Sequence, residues 1–258
     1  MFLYNLYYLK LKKINLLLII LSFLYSAENE QHEESIVNSW PINKNKQTII
    51  ESSNTAKLNC PNGIGCECVE DADCVNKNCE KHFRAGNVCT LQAGDTFPHF
   101  ISIDQFEDTV DIYDFAGQGK YILIEMGATW CSPCNLLAGW LTYGEEDIKS
   151  KRFWKDEYNQ IYDLIKNDEI LFITILYEDE FKDTATFDTV YEWYSTYPDD
   201  TIPILCDSDK LLHKLIKPTG IPAITLVDEN MKIVNVSSRG FNTAFDNIIK
   251  IFNSEKNN

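Results

Sequence analysis

The sequence predicts an α/β protein in which helices cover both faces of a mixed β-sheet and a small disulfide-rich module precedes that sheet. Two observations lead to this prediction. Strand-like and helix-like segments alternate over residues 90–258, which then close with two strands, a turn and an amphipathic helix. Six of the nine cysteines fall within residues 60–89, a segment too short to bury a stable core without cross-links.

Residues 1–26 have the pattern of a secretory signal peptide. Three lysines precede an apolar run over residues 14–25, and small residues suited to cleavage follow it. The run is shorter than the roughly 20 residues that span a bilayer as a helix. The expected location is therefore extracytoplasmic, either periplasmic or secreted. An uncleaved membrane anchor is the alternative, because the region before the lysines is itself apolar.

Residues 27–59 are rich in Asn, Glu, Ser, Lys and Gln and poor in apolar side chains, which predicts a disordered linker. The chain carries a formal net charge of -16. Nucleic acids and anionic membrane surfaces bind basic patches, so this charge argues against both as partners. We expect membrane attachment only if the signal stays uncleaved.

The cysteine-rich module spans residues 60–89. In an exported chain, six cysteines at this density indicate structural disulfides, although the sequence does not choose among their connectivities. Zinc is a weaker alternative, since His82 lies among the cysteines without the paired spacing of zinc ligands. Two aspartates, Asp71 and Asp73, are more typical of a solvated turn than of a calcium site. We therefore expect no metal. The six cysteines are Cys60, Cys66, Cys68, Cys74, Cys79 and Cys89.

Apolar periodicity predicts the order of elements in the domain over residues 90–258. Strands are expected at residues 97–103, 121–126, 170–177, 223–227 and 232–236. Helices are expected at residues 132–143, 152–166, 186–197, 208–216 and 241–252.

Two cysteines, Cys131 and Cys134, lie where the strand at 121–126 gives way to a helix, within the sequence Ala-Thr-Trp-Cys-Ser-Pro-Cys. Cys131 is expected at the N-terminus of that helix, where free N–H groups and the helix dipole stabilise a thiolate. The spacing therefore indicates a redox pair. A permanent cross-link or half of a zinc site is the structural alternative.

Four segments of residues 94–254 resemble the thioredoxin-fold superfamily, and within it the redoxin or TlpA-like extracytoplasmic thiol–disulfide oxidoreductases. In chain order they read GDTFPHF, ATWCSPC, TGIPA and LVDENMKIV, the last followed by Arg239 and Gly240. A Cys-x-x-Cys alone is weak support, but these four segments in this order are specific. The resemblance implies a thioredoxin-like domain over residues 90–258.

The resemblance also implies roles for the matched residues. Cys131 would attack a substrate disulfide as an exposed thiolate, and Cys134 would resolve the mixed disulfide. Pro222 would be a cis-proline, and Ile221 before it would hydrogen-bond substrate through its main chain. Trp130 would shape the rim of the site, or else pack into the core. No organic cofactor is implied, because the electrons come from another dithiol protein.

Glu125 is a carboxylate inside an otherwise apolar strand, six residues before Cys131. Thioredoxins carry a buried Asp at the matching position. Burial raises the pKa of a carboxyl group and suits it to exchange a proton with the deeper thiol. We therefore expect Glu125 to assist proton transfer. An outward-facing glutamate in a salt bridge is the alternative.

These observations predict an exported thiol–disulfide oxidoreductase that acts on protein dithiols and disulfides and is reoxidised or reduced by a partner protein. One alternative is a secreted interaction protein, in which the thioredoxin-like domain serves only as a scaffold for the cysteine-rich module. A thiol peroxidase with Cys206 as resolving cysteine is another. Such peroxidases carry Thr or Ser three residues before the reactive cysteine, and here that residue is Ala128. Cys206 is therefore expected to be a buried free thiol.

Overall fold

The computed structural model describes residues 40–52, 57–82 and 85–255. The chain divides into two units, and all described residues belong to the one that spans Trp40–Asn258. The predicted signal peptide lies outside the described residues. Among the described helices, none is both long and apolar enough to cross a membrane.

In the described residues, short segments of β-forming residues give the strands and amphipathic segments give the helices. The strands are β1 Cys79–His82, β2 Gly86–Cys89, β3 Ile101–Ile103, β4 Thr109–Asp111, β5 Ile122–Gly127, β6 Leu171–Leu176, β7 Ile204–Cys206, β8 Ala223–Val227 and β9 Ile233–Asn235. The α-helices are α1 Lys46–Ser52, α2 Ser132–Tyr143, α3 Asn159–Lys166, α4 Phe187–Thr196, α5 Leu211–Ile216 and α6 Asn242–Glu255.

The central sheet has five strands in the order β7-β6-β5-β8-β9. Strands β5, β6 and β7 run parallel, whereas β8 is antiparallel to both β5 and β9. Two hairpins, β1-β2 and β3-β4, lie outside this sheet. The mixed sheet is therefore the one that the sequence predicts.

Successive residues of β5 enter two different cores, one on each face of the sheet. Ile124 and Met126 pack with apolar residues of α4 and α5, whereas Leu123 packs with residues of α2, α3 and α6. This alternation is the period of two expected of a strand buried on both faces. Helices therefore cover both faces of the sheet, as predicted.

Some element boundaries differ from the sequence prediction. The helix expected at 152–166 begins as an α-helix only at Asn159, because Lys155 has an extended backbone and a 3-10 turn follows it. The strand expected at 97–103 shortens to β3, since Phe97 donates its N–H to Met231 of a turn. Strand β7, which has three residues and pairs with β6, was not predicted from the sequence.

The prediction of a disordered linker over residues 27–59 is wrong for residues 40–52. Trp40 is buried, its ring contacts Phe106 and Phe115, and its Nε1 donates to Asp104 Oδ2 at 2.7 Å. Helix α1 follows it, and Lys46 Nζ lies 2.9 Å from Asp114 Oδ1. Lys46 Nζ also lies 3.4 Å from Asp111 Oδ2, so one buried aromatic side chain and two ion pairs hold a polar segment against the domain. The remainder of the predicted linker is described only over residues 57–59.

The six cysteines of the module form three disulfides in the structure, Cys60–Cys66, Cys68–Cys79 and Cys74–Cys89. The sulfurs of Cys68, Cys74 and Cys89 lie within 4.8 Å of one another, but each belongs to a disulfide and so offers no thiolate to a metal.

The two aspartates of the module serve its backbone. Asp73 accepts from the N–H groups of Val69 and Glu70, and Asp71 accepts from that of Cys79. These hydrogen bonds fix the turn that leads into β1, so the carboxylates have a structural role there.

Candidate active site

The Cys131–Cys134 pair lies where β5 ends and α2 begins. Cys131 is the N-cap residue of α2, and its Sγ accepts the backbone N–H of Cys134 at 3.2 Å. Pro133 occupies the first turn of the helix, where a missing N–H is tolerated. The N-terminal end of α2 therefore points its free N–H groups and its dipole at Cys131, a setting that favours the thiolate.

The two cysteines form a disulfide, and both are covered. Cys131 is 2% exposed and Cys134 is fully buried. The exposed Cys131 that the resemblance implies is therefore not observed in this disulfide form. The physical reason is that the bond to Cys134 and the hydrogen bond from its N–H both draw the Cys131 sulfur toward the start of the helix.

Glu125 lies in the middle of β5 and is buried, with 2% of its surface exposed. The parallel register pairs it with Thr174 of β6, whose hydroxyl donates to Oε2 at 3.0 Å. The other oxygen, Oε1, has no hydrogen-bond partner among the described residues. Burial raises the pKa of Glu125 to about 7, and the hydrogen bond from Thr174 opposes that rise. The group is therefore poised to exchange a proton near neutral pH.

Gly127 lies between Glu125 and the deeper cysteine. Strand alternation puts Glu125 and Gly127 on one face of β5, the face that α2 covers. A Cβ built on Gly127 would lie 3.5 Å from Glu125 Oε1 and 3.7 Å from Cys134 Sγ. Glu125 Oε1 and Cys134 Sγ therefore both border the space above Gly127. The sequence did not predict a role for this glycine, although its place two residues after Glu125 was a signal.

The Ile221–Pro222 peptide bond is cis. Antiparallel pairing of β5 with β8 sets Met126 opposite Ala223, so Pro222 lies beside the end of β5 that leads to the cysteines. Pro222 is buried and its carbonyl accepts from Gly240 N–H, whereas Ile221 is half-buried. Among the described residues, no backbone–backbone hydrogen bond is formed by Ile221. Its main chain is therefore available to an extended peptide.

Trp130 forms part of the rim and is 40% exposed, which excludes the alternative of a core residue. Its Nε1 donates to Glu178 Oε2 at 2.9 Å, and Glu178 Oε1 lies 2.7 Å from Lys210 Nζ. Lys182 places its Nζ 5.2 Å from the centre of the Trp130 ring. The sequence did not predict these three charged residues, because they lie 48 or more residues after Trp130 and only the fold brings them to it.

Cys206 is a buried free thiol on β7. Its Sγ donates to the carbonyl of Ala185 at 3.1 Å. Burial, reinforced by the nearby Asp207, raises the pKa of Cys206 to about 11, so the thiolate is disfavoured. Strand β6 lies between β7, which carries Cys206, and β5, which leads to Cys131 and Cys134.

The domain is similar to solved thioredoxin-like structures. For the thioredoxin domain of a thiol-disulfide oxidoreductase from Bacteroides vulgatus, the identity is 19%, the TM-score is 0.44, and 63% of this chain and 99% of that chain are covered. A thiol:disulfide interchange protein from Bacteroides sp. is 20% identical with a TM-score of 0.43, and 63% of this chain and 91% of that chain are covered. The exposed lipoprotein thioredoxin of Streptococcus pneumoniae is 19% identical with a TM-score of 0.41, and 59% of this chain and 98% of that chain are covered.

No protein-family model and no curated protein sequence matches the chain. Its fold is defined by its own topology, with the parallel strands β5, β6 and β7, the antiparallel pair β8 and β9, and a disulfide at the start of the helix that follows β5. The domain therefore has a thioredoxin-like fold, with a cis-proline beside that disulfide.

Proposed function

We propose that the chain is an exported thiol–disulfide oxidoreductase that exchanges disulfides with protein substrates through Cys131 and Cys134. The observation that supports this most is the arrangement around Cys134. Cys134 Sγ and the unpartnered Oε1 of the buried Glu125 both lie within 4 Å of the space that a Cβ at Gly127 would fill. A purely structural cross-link needs no such group, since a disulfide carries no proton to transfer.

In the reducing direction, the reaction begins from the dithiol form. The Cys131 thiolate attacks one sulfur of a substrate disulfide, which forms a Cys131–substrate disulfide and expels the other substrate sulfur as a thiolate. The N-terminus of α2 stabilises the attacking thiolate. Ile221 holds the substrate chain in an extended form through its main chain, and Trp130 bounds the rim on which the chain lies.

The second step regenerates the disulfide seen in the structure. The thiol of Cys134 gives its proton to Glu125, directly or through one water, and the resulting thiolate attacks the sulfur of Cys131. The Cys131–Cys134 bond forms, and the second substrate sulfur leaves as a thiolate. The enzyme is oxidised by two electrons and the substrate disulfide is reduced to two thiols. Every step reverses when the substrate is a dithiol.

Cys131 and Cys134 themselves carry the electrons, so no organic cofactor is needed. A second dithiol or disulfide protein must reoxidise or reduce the pair after each reaction. The predicted signal peptide and the three structural disulfides support a location outside the cytoplasm, where such bonds persist. Membrane attachment is proposed only for a chain whose signal stays uncleaved.

Trapping of the mixed disulfide tests the assigned roles. A reduced Cys134→Ser variant, incubated with oxidised insulin, should accumulate a covalent complex through Cys131, because the resolving thiol is missing. Cys131→Ser should form no such complex, and wild type should reduce insulin without accumulating the complex. Equal insulin reduction by wild type and Cys131→Ser would contradict the proposal and favour the scaffold function. Thiol-dependent loss of hydrogen peroxide at rates above those with insulin would instead favour the peroxidase.

A further inference from the structure

A hollow of about 690 Å³ opens beside Trp130 and Ile221, on the rim of the redox site. The cysteine-rich module forms one wall through His82 and Ala85, and the residues that end α5 and follow it form another. We call this space the lysine hollow, because three lysines line it. They are Lys182, Lys214 and Lys217.

The lysine hollow is positively charged in a chain whose net charge is -16. None of its three lysines forms an ion pair with a carboxylate among the described residues, and Lys214 Nζ donates only to the neutral carbonyl of Asp209. Glu178 is the one carboxylate among the described residues that line it. Both Glu178 oxygens are engaged, one by Lys210 and the other by Trp130. The lysine charges therefore remain available to a ligand.

The module is fixed in place as a wall of this hollow. His82 Nε2 donates to the carbonyl of Lys217 at 3.0 Å. Gly65 packs so closely on α5 that a Cβ there would lie 2.7 Å from the carbonyl oxygen of Lys214. The backbone that carries two of the three lysines is therefore held directly by the module, which gives the disulfide-rich segment a part in shaping the site.

The position of the hollow suggests what it binds. Ile221, whose main chain is open to an extended peptide, lines the lysine hollow on one side. It also lines a second, smaller hollow of about 310 Å³ with Phe153 and Phe241. A peptide that lies along Ile221 would thus enter the lysine hollow a few residues from its reactive cysteine. Carboxylates on that part of the peptide would meet three uncompensated ammonium groups.

We propose that the lysine hollow binds an acidic segment of the protein substrate next to the disulfide under attack, with the cysteine-rich module as one of its walls. The inference rests on the proposed function and specifies its substrate class. Charge complementarity of this kind raises the rate of encounter and selects among partners.

Two matched disulfide peptides test the inference. They share one sequence, except that Asp and Glu flank the cysteine in the first and Asn and Gln replace them in the second. Wild type should show a kcat/KM about tenfold higher for the acidic peptide at low ionic strength, mostly through KM. Added salt should reduce this ratio, because the lysines are solvent-accessible. Replacing the three lysines together, as Lys182→Gln, Lys214→Gln and Lys217→Gln, should bring the ratio close to one.

A control variant separates the hollow from the overall charge of the protein. Replacing three lysines that line neither hollow, Lys44, Lys149 and Lys250, by glutamine gives the same net charge and should keep the tenfold ratio. A wild-type ratio near one, or an equal loss of preference in both triple variants, would overturn the inference. If the wild type reduces neither peptide, the proposed function itself fails, which is a different result from reducing both equally.

Discussion

At the scale of single residues, the environment of Glu125 determines what the site can do. The sequence shows a carboxylate in an apolar strand, and this was enough to predict its burial and its raised pKa. Its partners could not be predicted, because Thr174 reaches it only through the register of β6. Gly127 matters through the side chain that it lacks, and its one signal in the sequence is its place two residues after Glu125.

The raised pKa of Glu125 predicts how stability depends on pH. Between its ordinary pKa of 4.5 and its folded pKa of about 7, the folded oxidised protein keeps the proton and the unfolded chain does not. The free energy of unfolding should therefore fall as pH rises through this range, by about 3 kcal/mol, and level off above it. Glu125→Gln should remove that fall, as chemical denaturation at several pH values would show. A Glu125→Gln profile parallel to that of wild type would contradict the assignment.

Proton transfer between Glu125 and Cys134 should depend on Gly127. An alanine fits, since its Cβ would meet both groups at ordinary contact distances, but it would stand between them. Gly127→Ala should therefore slow resolution of the mixed disulfide about tenfold, as should Glu125→Gln. In stopped-flow measurements, raising the pH toward the pKa of the thiol should restore much of the rate in both variants. Unchanged rates at pH 7 would exclude the proton-transfer role.

At the scale of elements, long periodic segments were predictable and short ones were not. The strand at β6 and the helix at α6 follow from continuous apolar patterns, whereas β7 and the β3-β4 hairpin are three-residue strands that only their neighbours define. The helix predicted at 208–216 is confirmed as α5, but it begins only at Leu211, and its six residues depend on a cap outside the helix.

Asp207 is that cap, and its removal tests the stability of α5. One carboxylate oxygen accepts the N–H groups of Leu211 and Leu212, and the other accepts that of His213 at 2.9 Å. Asp207→Ala should lower the free energy of unfolding by about 2 kcal/mol, measured by urea denaturation. Asp207→Asn keeps one acceptor oxygen and should lose less. Equal losses in the two variants would show that the capping hydrogen bonds are not what Asp207 contributes.

At the scale of the whole molecule, the described part of the chain is one unit in which the cysteine-rich module and residues 40–52 pack on the thioredoxin-like domain. Composition predicted the cross-linked module, because six cysteines in 30 residues have few other uses. It could not predict the docking of residues 40–52, since a mostly polar segment is held by Trp40 across 64 residues of sequence.

Truncation of Trp40 tests whether this segment belongs to the fold. Trp40→Ala should lower the free energy of unfolding by about 3 kcal/mol, because a buried indole and its hydrogen bond to Asp104 are lost. Trp40→Phe keeps a ring against Phe106 and Phe115 and should lose less. A disordered linker would show no change in either variant, and thermal or urea denaturation would distinguish the two cases.

The redox behaviour of the cysteines tests whether Cys131 and Cys134 form a redox-active pair. The protein is equilibrated with a series of glutathione buffers, quenched and alkylated, and the thiols are assigned by mass spectrometry. As the buffers become more reducing, Cys131 and Cys134 should gain two thiols together while the three disulfides of the module stay intact. Reduction of the module before or together with the pair, or a Cys131–Cys134 disulfide that resists the whole series, would contradict a redox-active site.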